Sequence, residues 1–306
     1  MKKILCLISL SFFLFVWSCQ NQQPNAPQQK IDLESLKAKL VEINTQLAKP
    51  NNPVSQRLGK TGGGQIQIAA IYGLTPFDNE RFEVVLVPSP FRWVAGDPRR
   101  EPDGTNITYL VDRSAGGTDD GLGNAQTEPV MDQSMGAIHR KLQRLSDNLS
   151  VVKRRDPGGD VTIFDSFFGL GGFGDFLAAD IVDAGFFPGS FFATIFGPGG
   201  SNVLAFSITF IWVSDGVPTD VDGNGFLDTA LNEVYFNDQF TWAIDDDFDI
   251  ATVATHEYMH SFGMGHVGPP PVSLMNPSYF PRGIWQRLDP AVQANLRAIY
   301  KTWPNP

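Results

Sequence analysis

Three histidines and a glutamate lie close together near the C-terminus, in the pattern HExxHxxGxxH. His256 and His260 are four residues apart, so on a helix they project from the same face. Two imidazoles one turn apart supply half of the roughly four ligands of a tetrahedral Zn²⁺. Gly263 can adopt the left-handed conformation that ends a helix, which lets His266 return as a third ligand. The spacing therefore predicts a zinc site whose fourth position is left to water, as in catalytic zinc sites.

Glu257 follows the first histidine of the pattern and is predicted to be a base and not a ligand. Zinc lowers the pKa of a bound water and polarises a carbonyl group. A carboxylate beside that water can take its proton and pass it to a leaving amine. The residues thus predict hydrolysis of peptide bonds without a separate nucleophile. The remaining alternative is a chance HExxH on a core helix.

The extended pattern is that of the metzincin zinc peptidases, and the residues after it resemble the matrixins, the matrix-metalloproteinase family. Met275, Pro277 and Tyr279 are similar to the Met-turn and the following wall of the specificity pocket, although Asn276 stands where tyrosine is common. The resemblance implies that Met275 forms an apolar floor under the histidines. It also implies that Pro277 to Tyr279 border the pocket for the residue after the cleaved bond. Met275 could instead fill a gap in an ordinary core.

Weaker similarities to the same family extend over residues 80–306, and the likeness is strongest over residues 233–280. Residues 104–112 resemble the first strand of a matrixin catalytic domain, residues 179–181 the third strand, and residues 288–300 the closing helix. The resemblance implies a metzincin-type catalytic domain with a twisted mixed β-sheet, long helices and a zinc helix.

The sequence departs from animal matrixins in two respects. It has no cysteine in the region where they carry a cysteine switch, and it lacks the extra histidines that bind their structural zinc. We therefore expect one catalytic zinc ion, and an animal-type latency mechanism is in question.

Hydrophobic patterns place these motifs on strands and helices. Strands are predicted over residues 82–87, 107–112, 203–213 and 233–237. One apolar stripe predicts a long helix and consists of Met131, Met135, Ile138, Leu142, Leu145 and Leu149. The zinc helix should begin near Asp249, where a run of aspartates supplies favourable charge at a helix N-terminus. Strands precede the last two helices, so the predicted class is α+β.

The N-terminus predicts export from the cytoplasm. Lys2 and Lys3 precede an apolar run over residues 4–17, which is shorter than a membrane span of about 20 residues and typical of a signal peptide. The run ends in a sequence that resembles the lipobox of bacterial lipoproteins, which implies acylation of Cys19. The alternative is a secretory signal cut near Ser18. Because the only other cysteine is Cys6, the mature protein would contain no disulfide.

We divide the chain into a signal peptide over residues 1–19, a tether over 20–78 and a catalytic domain over 79–306. Residues 20–29 have the composition of a disordered spacer, and residues 49–64 that of a polar linker. Between them, one helix is predicted by Leu33, Leu36, Leu40, Ile43 and Leu47. This helix could dock on the catalytic domain or merely stiffen the tether.

An acidic loop predicts a possible second metal. Side-chain oxygens at calcium-loop positions, with glycine at the sixth, come from Asp220, Asp222, Asn224 and Asp228. The twelfth position is Leu231 instead of glutamate, so a standard EF-hand is not supported. Glu233 from a displaced position, or Asp228, could close the site. The alternative is an acidic turn without a metal.

Charge and targeting limit the partners. The net charge of −10 argues against nucleic acid and anionic lipid headgroups. We expect a monomeric zinc endopeptidase that cleaves proteins or peptides and is held in the bacterial cell envelope through Cys19, outward of the cytoplasmic membrane, on the outer membrane or cell surface. Two alternatives remain: an adhesion or binding protein that keeps the zinc fold with little turnover, and an enzyme that processes only its own tether.

Overall fold

A computed structural model describes residues 30–60, 64–76, 82–97, 105–145, 149–269, 272–279 and 288–304. Its helices are α1 (Leu33–Leu47), α2 (Pro53–Lys60), α3 (Asn124–Gln143), α4 (Gly189–Phe196), α5 (Ile250–Ser261) and α6 (Pro290–Tyr300). Its strands are β1 (Gln65–Pro76), β2 (Phe82–Val85), β3 (Phe91–Trp93), β4 (Ile107–Val111), β5 (Val151–Lys153), β6 (Ile181–Phe187), β7 (Ala205–Ser214), β8 (Val217–Pro218), β9 (Leu227–Asn237) and β10 (Ser278–Tyr279). Cys19, the rest of the predicted signal peptide and the predicted spacer lie outside the described residues.

The strands form one mixed sheet, in the order β10-β1-β7-β9-β6-β4-β5. Strand β7 is antiparallel to both of its neighbours, β1 and β9. Strands β9, β6, β4 and β5 run parallel to one another. The short strands β2, β3 and β8 pair with β1, β9 and β7. The predicted α+β class is confirmed at this level.

Helices cover both faces of the sheet because neighbouring residues of a strand point to opposite sides. On β9, Val234 and Phe236 join an apolar cluster with α3, α5 and α6, whereas Tyr235 joins a second cluster with α1, α2 and α4. Helix α5 lies in the first cluster, and each of its residues is buried. Helix α5, which was predicted to carry the zinc ligands, is therefore a central element of the fold.

Helix α5 begins where the sequence predicts. Asp249 is its N-cap, and its Oδ2 accepts a hydrogen bond of 2.8 Å from the backbone N–H of Thr252. Such a cap satisfies one of the free N–H groups of the first turn. Helix α3 ends at Gln143, before Leu149, but Leu149 is buried in the same apolar cluster as the rest of the predicted stripe.

The N-terminal helix docks on the folded body, which settles the choice that the sequence leaves open. Four of its predicted stripe residues are buried against the sheet: Leu36, Leu40, Ile43 and Leu47. The predicted linker over residues 49–64 is also wrong in part, because it contains α2. Asn52 accepts a hydrogen bond from the N–H of Val54 at the start of α2, and Val54 and Leu58 bury one face of it.

The predicted boundary at residue 79 also needs correction. Residues 65–76, assigned to the tether, form β1, which lies inside the sheet between β7 and β10. Residues 68–76 of this strand are all buried. A strand that is covered on both faces shows no alternation of apolar and polar residues, so the usual periodic signal was missing. Among the helices described, none combines the length and apolar character needed to cross a bilayer.

Candidate metal centre

The three predicted histidine ligands converge on one point. The Nε2 atoms of His256 and His260 lie 3.1 Å apart, and those of His256 and His266 lie 3.3 Å apart. His256 and His260 come from adjacent turns of α5, and His266 follows the helix. One ligand atom from each side chain lies within 4.8 Å of the others, so the group could hold a metal ion.

Gly263 makes the turn that returns His266 to the helix, as predicted. Its φ angle is 84°, in the left-handed region, and its N–H donates to the carbonyl of His260 at 2.9 Å. The carbonyl oxygen of Phe91 in β3 lies so close to Gly263 that a Cβ at this position would collide with it. Both the conformation and the close approach of β3 require glycine here.

Each imidazole faces an oxygen acceptor on its other nitrogen. Nδ1 of His256 lies 2.6 Å from the carbonyl oxygen of Leu274, and Nδ1 of His260 lies 2.6 Å from that of Met264. Nδ1 of His266 lies 3.4 Å from a carboxylate oxygen of Glu83. An Nδ1–H that points at an acceptor leaves the lone pair on Nε2, the tautomer that binds metals. The carbonyl oxygens thus hold the rings of His256 and His260 in the orientation that a metal needs, and the carboxylate of Glu83 lies close to the third ring without a hydrogen bond between the two atoms.

The protonation of the rings fits a cation at their centre. Burial lowers the pKa of His256 to about 4, and that of His260 well below its ordinary value. Two neutral rings with Nε2 lone pairs aimed at each other repel unless a positive charge lies between them. For zinc–nitrogen distances of about 2.0–2.1 Å, tetrahedral ligands are separated by roughly 3.3 Å. The observed separations therefore suit zinc.

Glu257 follows His256 in α5 and is buried. Its side chain is completely buried, and neither carboxylate oxygen accepts a hydrogen bond from any described residue. Burial raises the pKa of Glu257 well above its ordinary value. A buried carboxyl group that lacks partners is costly, so it calls for a water, a substrate or a cation beside it.

Two residues at the centre were missed by the sequence analysis, and both come from the N-terminal hairpin of β1 and β2. Tyr72 stacks on His260, with ring centroids 4.4 Å apart and an angle of 6° between the planes. Its ring also meets His266 edge-on at 5.9 Å. Glu83 supplies the carboxylate beside His266. No local pattern in the sequence could connect these positions to histidines so far along the chain.

The residues that resemble the Met-turn and the pocket wall lie beside the centre. Met275 is fully buried, and its carbonyl accepts a hydrogen bond of 2.8 Å from Val267. It follows Leu274, whose carbonyl orients His256. Pro277 is buried and precedes β10, which pairs with β1.

Tyr279 supports the start of α5. Its hydroxyl accepts a hydrogen bond of 3.0 Å from the N–H of Asp249, and its ring stacks on Phe248 at 5.9 Å. These contacts tie the segment after the Met-turn to the N-terminus of the zinc helix. The role of Pro277 and Tyr279 as pocket walls stays a prediction.

The acidic loop brings three of its four predicted ligands together. Carboxylate oxygens of Asp220, Asp222 and Asp228 lie within 4.8 Å of one another. The side-chain oxygen of Asn224 accepts a hydrogen bond of 2.7 Å from the N–H of Phe226, so this residue shapes the turn. The guanidinium of the buried Arg92 lies 3.7 Å from Asp222 and already offsets part of the negative charge.

Glu233 is not a displaced ligand of the acidic loop, since it is engaged elsewhere. Its carboxylate accepts hydrogen bonds from the N–H groups of Ile163 and Phe164, at 2.5 and 3.0 Å, and from the hydroxyl of Tyr235 at 2.8 Å. Burial raises the pKa of Glu233 to about 7. The carboxylate holds the loop after β5 against β9.

The chain matches neither a model of a protein family nor a curated protein.

Proposed function

We propose that the protein is a zinc-dependent endopeptidase of the metzincin type, similar to the matrixins. The main support is the convergence of three Nε2 atoms with an oxygen acceptor behind each Nδ1. The buried Glu257 without a partner, the glycine turn and the buried Met275 support the same assignment. His256, His260 and His266 would hold the metal.

A bound zinc ion would lower the pKa of a water molecule and polarise the carbonyl of the scissile peptide bond. The protein's own base is Glu257. A carboxylate oxygen of Glu257 takes a proton from the attacking water and later delivers it to the nitrogen of the leaving amine. Burial raises the pKa of this carboxyl above its ordinary value, which makes the carboxylate a stronger base.

The second candidate function is an adhesion or binding protein in which the zinc is structural. The observation that favours it is burial. The side chains at the centre are almost closed to solvent, with relative exposures of 1% for His256 and His260, 6% for His266 and 0% for Glu257. A structural zinc site is closed, whereas a catalytic one needs access for water and substrate.

Substitution of Glu257 separates the two functions. The chain from residue 20 onward should cleave members of a peptide library, and Glu257→Gln should lower the rate by about 10²–10⁴-fold, the usual contribution of a general base. Zinc content should stay near one per chain in that variant, since the residue is not a ligand. His266→Ala is the matched control and should lose zinc. Undiminished cleavage by Glu257→Gln would exclude the mechanism, and no cleavage by either chain would favour the binding protein.

We also propose a location in the bacterial cell envelope through acylation of Cys19, which rests on the sequence alone. Cys19→Ala should release the protein from membrane fractions or leave its signal peptide uncleaved. Stable anchoring depends on the acyl chains that Cys19 is proposed to carry, so the loss of the protein from membrane fractions should be nearly complete. A variant that remained membrane-bound with its signal removed would contradict the proposal.

A further inference from the structure

The burial of the metal centre means that some part of the protein must move before a polypeptide can reach it. Tyr72 covers His260 and meets the edge of His266, and Glu83 lies behind His266. Both residues belong to the hairpin of β1 and β2. The end of β1 nearest the metal is therefore a candidate for the part that moves.

This end of β1, residues 72–76, lies in a channel between two other strands. Residues 72–74 pair with β7, which is antiparallel to them. On the other edge, Tyr72 and Gly73 pair with β2, and Thr75 and Pro76 pair with β10, which is parallel to them. The carbonyl of Leu74 accepts a hydrogen bond of 2.8 Å from Leu204, just before β7. On the other side, the N–H of Thr75 donates to the carbonyl of Pro277 at 3.5 Å, a long contact. If these residues moved away together with the part of β2 that is paired with them, β7 and β10 would present two free strand edges.

An extended peptide binds to free strand edges by adding a strand, with main-chain hydrogen bonds that do not depend on sequence. The channel between β7 and β10 offers such edges next to the histidines. The segment that fills it has the conformation and the backbone bonds of a bound peptide. It belongs to the protein itself, so it competes with any added polypeptide at high effective concentration.

The contacts of this segment are less complete than those of a permanent core. Hydroxyl oxygens of Thr75, Ser207 and Ser278 are buried and accept or donate no hydrogen bond among the described residues. Ser207 is opposite Tyr72 on β7, and Ser278 is opposite Thr75 on β10. Buried hydroxyls without partners are unfavourable, so displacement of residues 72–76 costs less than displacement of a well-satisfied strand.

We propose that residues 72–76 form an intramolecular plug that keeps the peptidase latent. The plug occupies the channel in which an extended polypeptide would lie antiparallel to β7 and parallel to β10. Cleavage of other proteins requires that this end of β1 leaves the channel together with the β2 residues paired with it, while α1, α2 and the first part of β1 keep their places on the sheet. The inference rests on the proposed peptidase function.

A reversible disulfide tests the plug in the full chain. Leu74 and Ala205 are paired on β1 and β7, and paired Cα atoms in antiparallel strands lie about 4.5–5.5 Å apart, within the range of disulfides. We would introduce Leu74→Cys with Ala205→Cys after Cys6→Ser and Cys19→Ser, which remove the natural cysteines. The matched control is Ser214→Cys with Val217→Cys, a pair on β7 and β8 at an exposed turn.

The first readout is the rate at which EDTA removes zinc, which needs no catalysis. The double variant with its β1–β7 disulfide formed, called the oxidised lock, should release zinc on the order of tenfold more slowly than the same protein after reduction, because the metal centre opens less often. The control disulfide should show no difference. Tyr72→Ala should release zinc faster than the natural chain, and Tyr72→Phe, which keeps the ring, should not. Equal rates for the oxidised and reduced lock would overturn the plug.

The second readout is cleavage of an unfolded protein, with Glu257→Gln as the blank. The oxidised lock should lose cleavage and regain it on reduction, and Tyr72→Ala should cleave several times faster than Tyr72→Phe. Full cleavage by the oxidised lock would overturn the plug and leave the peptidase intact. If no variant cleaves but zinc release still depends on the lock, the peptidase proposal fails and the mobile cover over the metal remains.

Discussion

The carboxylate of Glu83 lies 3.4 Å from Nδ1 of His266, so a strand from the N-terminal part of the chain supports the last histidine of the zinc pattern. His256 and His260 are oriented by carbonyl oxygens of Leu274 and Met264, in the segment that follows α5. The third histidine instead lies beside a carboxyl group. A carboxylate that accepts a hydrogen bond from a metal-binding imidazole orients the ring and makes it a stronger ligand.

Substitution of Glu83 should therefore weaken zinc binding without removing a ligand. Glu83→Ala should lower zinc affinity by about 10–100-fold, the usual effect of losing such a partner, and Glu83→Gln should have a smaller effect because its amide oxygen can still accept. Competition with a chromogenic chelator measures both. Glu128→Ala, which removes a carboxylate of α3 that is paired with Lys153 of β5, is the control. Unchanged affinity in Glu83→Ala would show that the contact is incidental.

Calcium should stabilise the acidic loop. Neither side-chain oxygen of Asp222 accepts a hydrogen bond from a described residue, and Asp220 and Asp228 lie close by. A cation that binds only the folded state raises its melting temperature by mass action. Millimolar calcium should thus raise the melting temperature in a concentration-dependent way, and Asp222→Ala should remove most of the increase.

The control for the calcium melt is Asp246→Ala, a substitution at an exposed aspartate outside the loop. It should keep the calcium effect, and chelation before the melt must be mild enough to leave zinc bound. Identical melting temperatures with and without calcium would mean that Arg92 alone is enough to balance the loop.

Asp165 should make the protein less stable as the pH rises. Burial is the main cause that raises its pKa to about 8 from 3.8, with a hydrogen bond to Asp160 as a further cause. A carboxyl whose folded pKa is raised stabilises the fold fully below its unfolded pKa, and this contribution is lost as pH rises through the folded value. The loss from this residue should therefore extend from about pH 4 to pH 8.

Asp165→Asn carries no charge to bury and should remove that loss. Between pH 5 and pH 8, the free energy of unfolding of the natural chain should fall by at least about 1 kcal/mol more than that of the variant. Urea unfolding at both pH values gives the comparison, and Asp215→Asn at an exposed turn is the control. Parallel pH dependence in the natural chain and Asp165→Asn would mean that the carboxyl ionises without penalty.

The sequence could predict features whose causes are local. The helical spacing of His256 and His260, the cap at Asp249 and the left-handed turn at Gly263 depend on residues within one or two turns of each other. Each has a recognisable local signal. Together these local features predict that three imidazoles lie near one point.

Features that depend on distant pairing could not be predicted. Tyr72 and Glu83 reach the centre because β1 and β2 join the sheet, which a single sequence does not show. The apolar run of β1 lacks a period, and the glycines before it suggested a linker. For α1, the apolar stripe predicted the helix but not the surface that it covers.

Because β3 approaches Gly263 closely, the zinc pattern depends on a part of the fold that lies outside it. The pattern occupies one short stretch of sequence, yet the turn inside it fits against the Phe91 carbonyl, and its third histidine lies beside Glu83 of β2. If this stretch alone were grafted onto another helical protein, its sequence would be unchanged but these two contacts would be absent. Its zinc would then be bound by two well-oriented histidines and by a third whose position is not fixed.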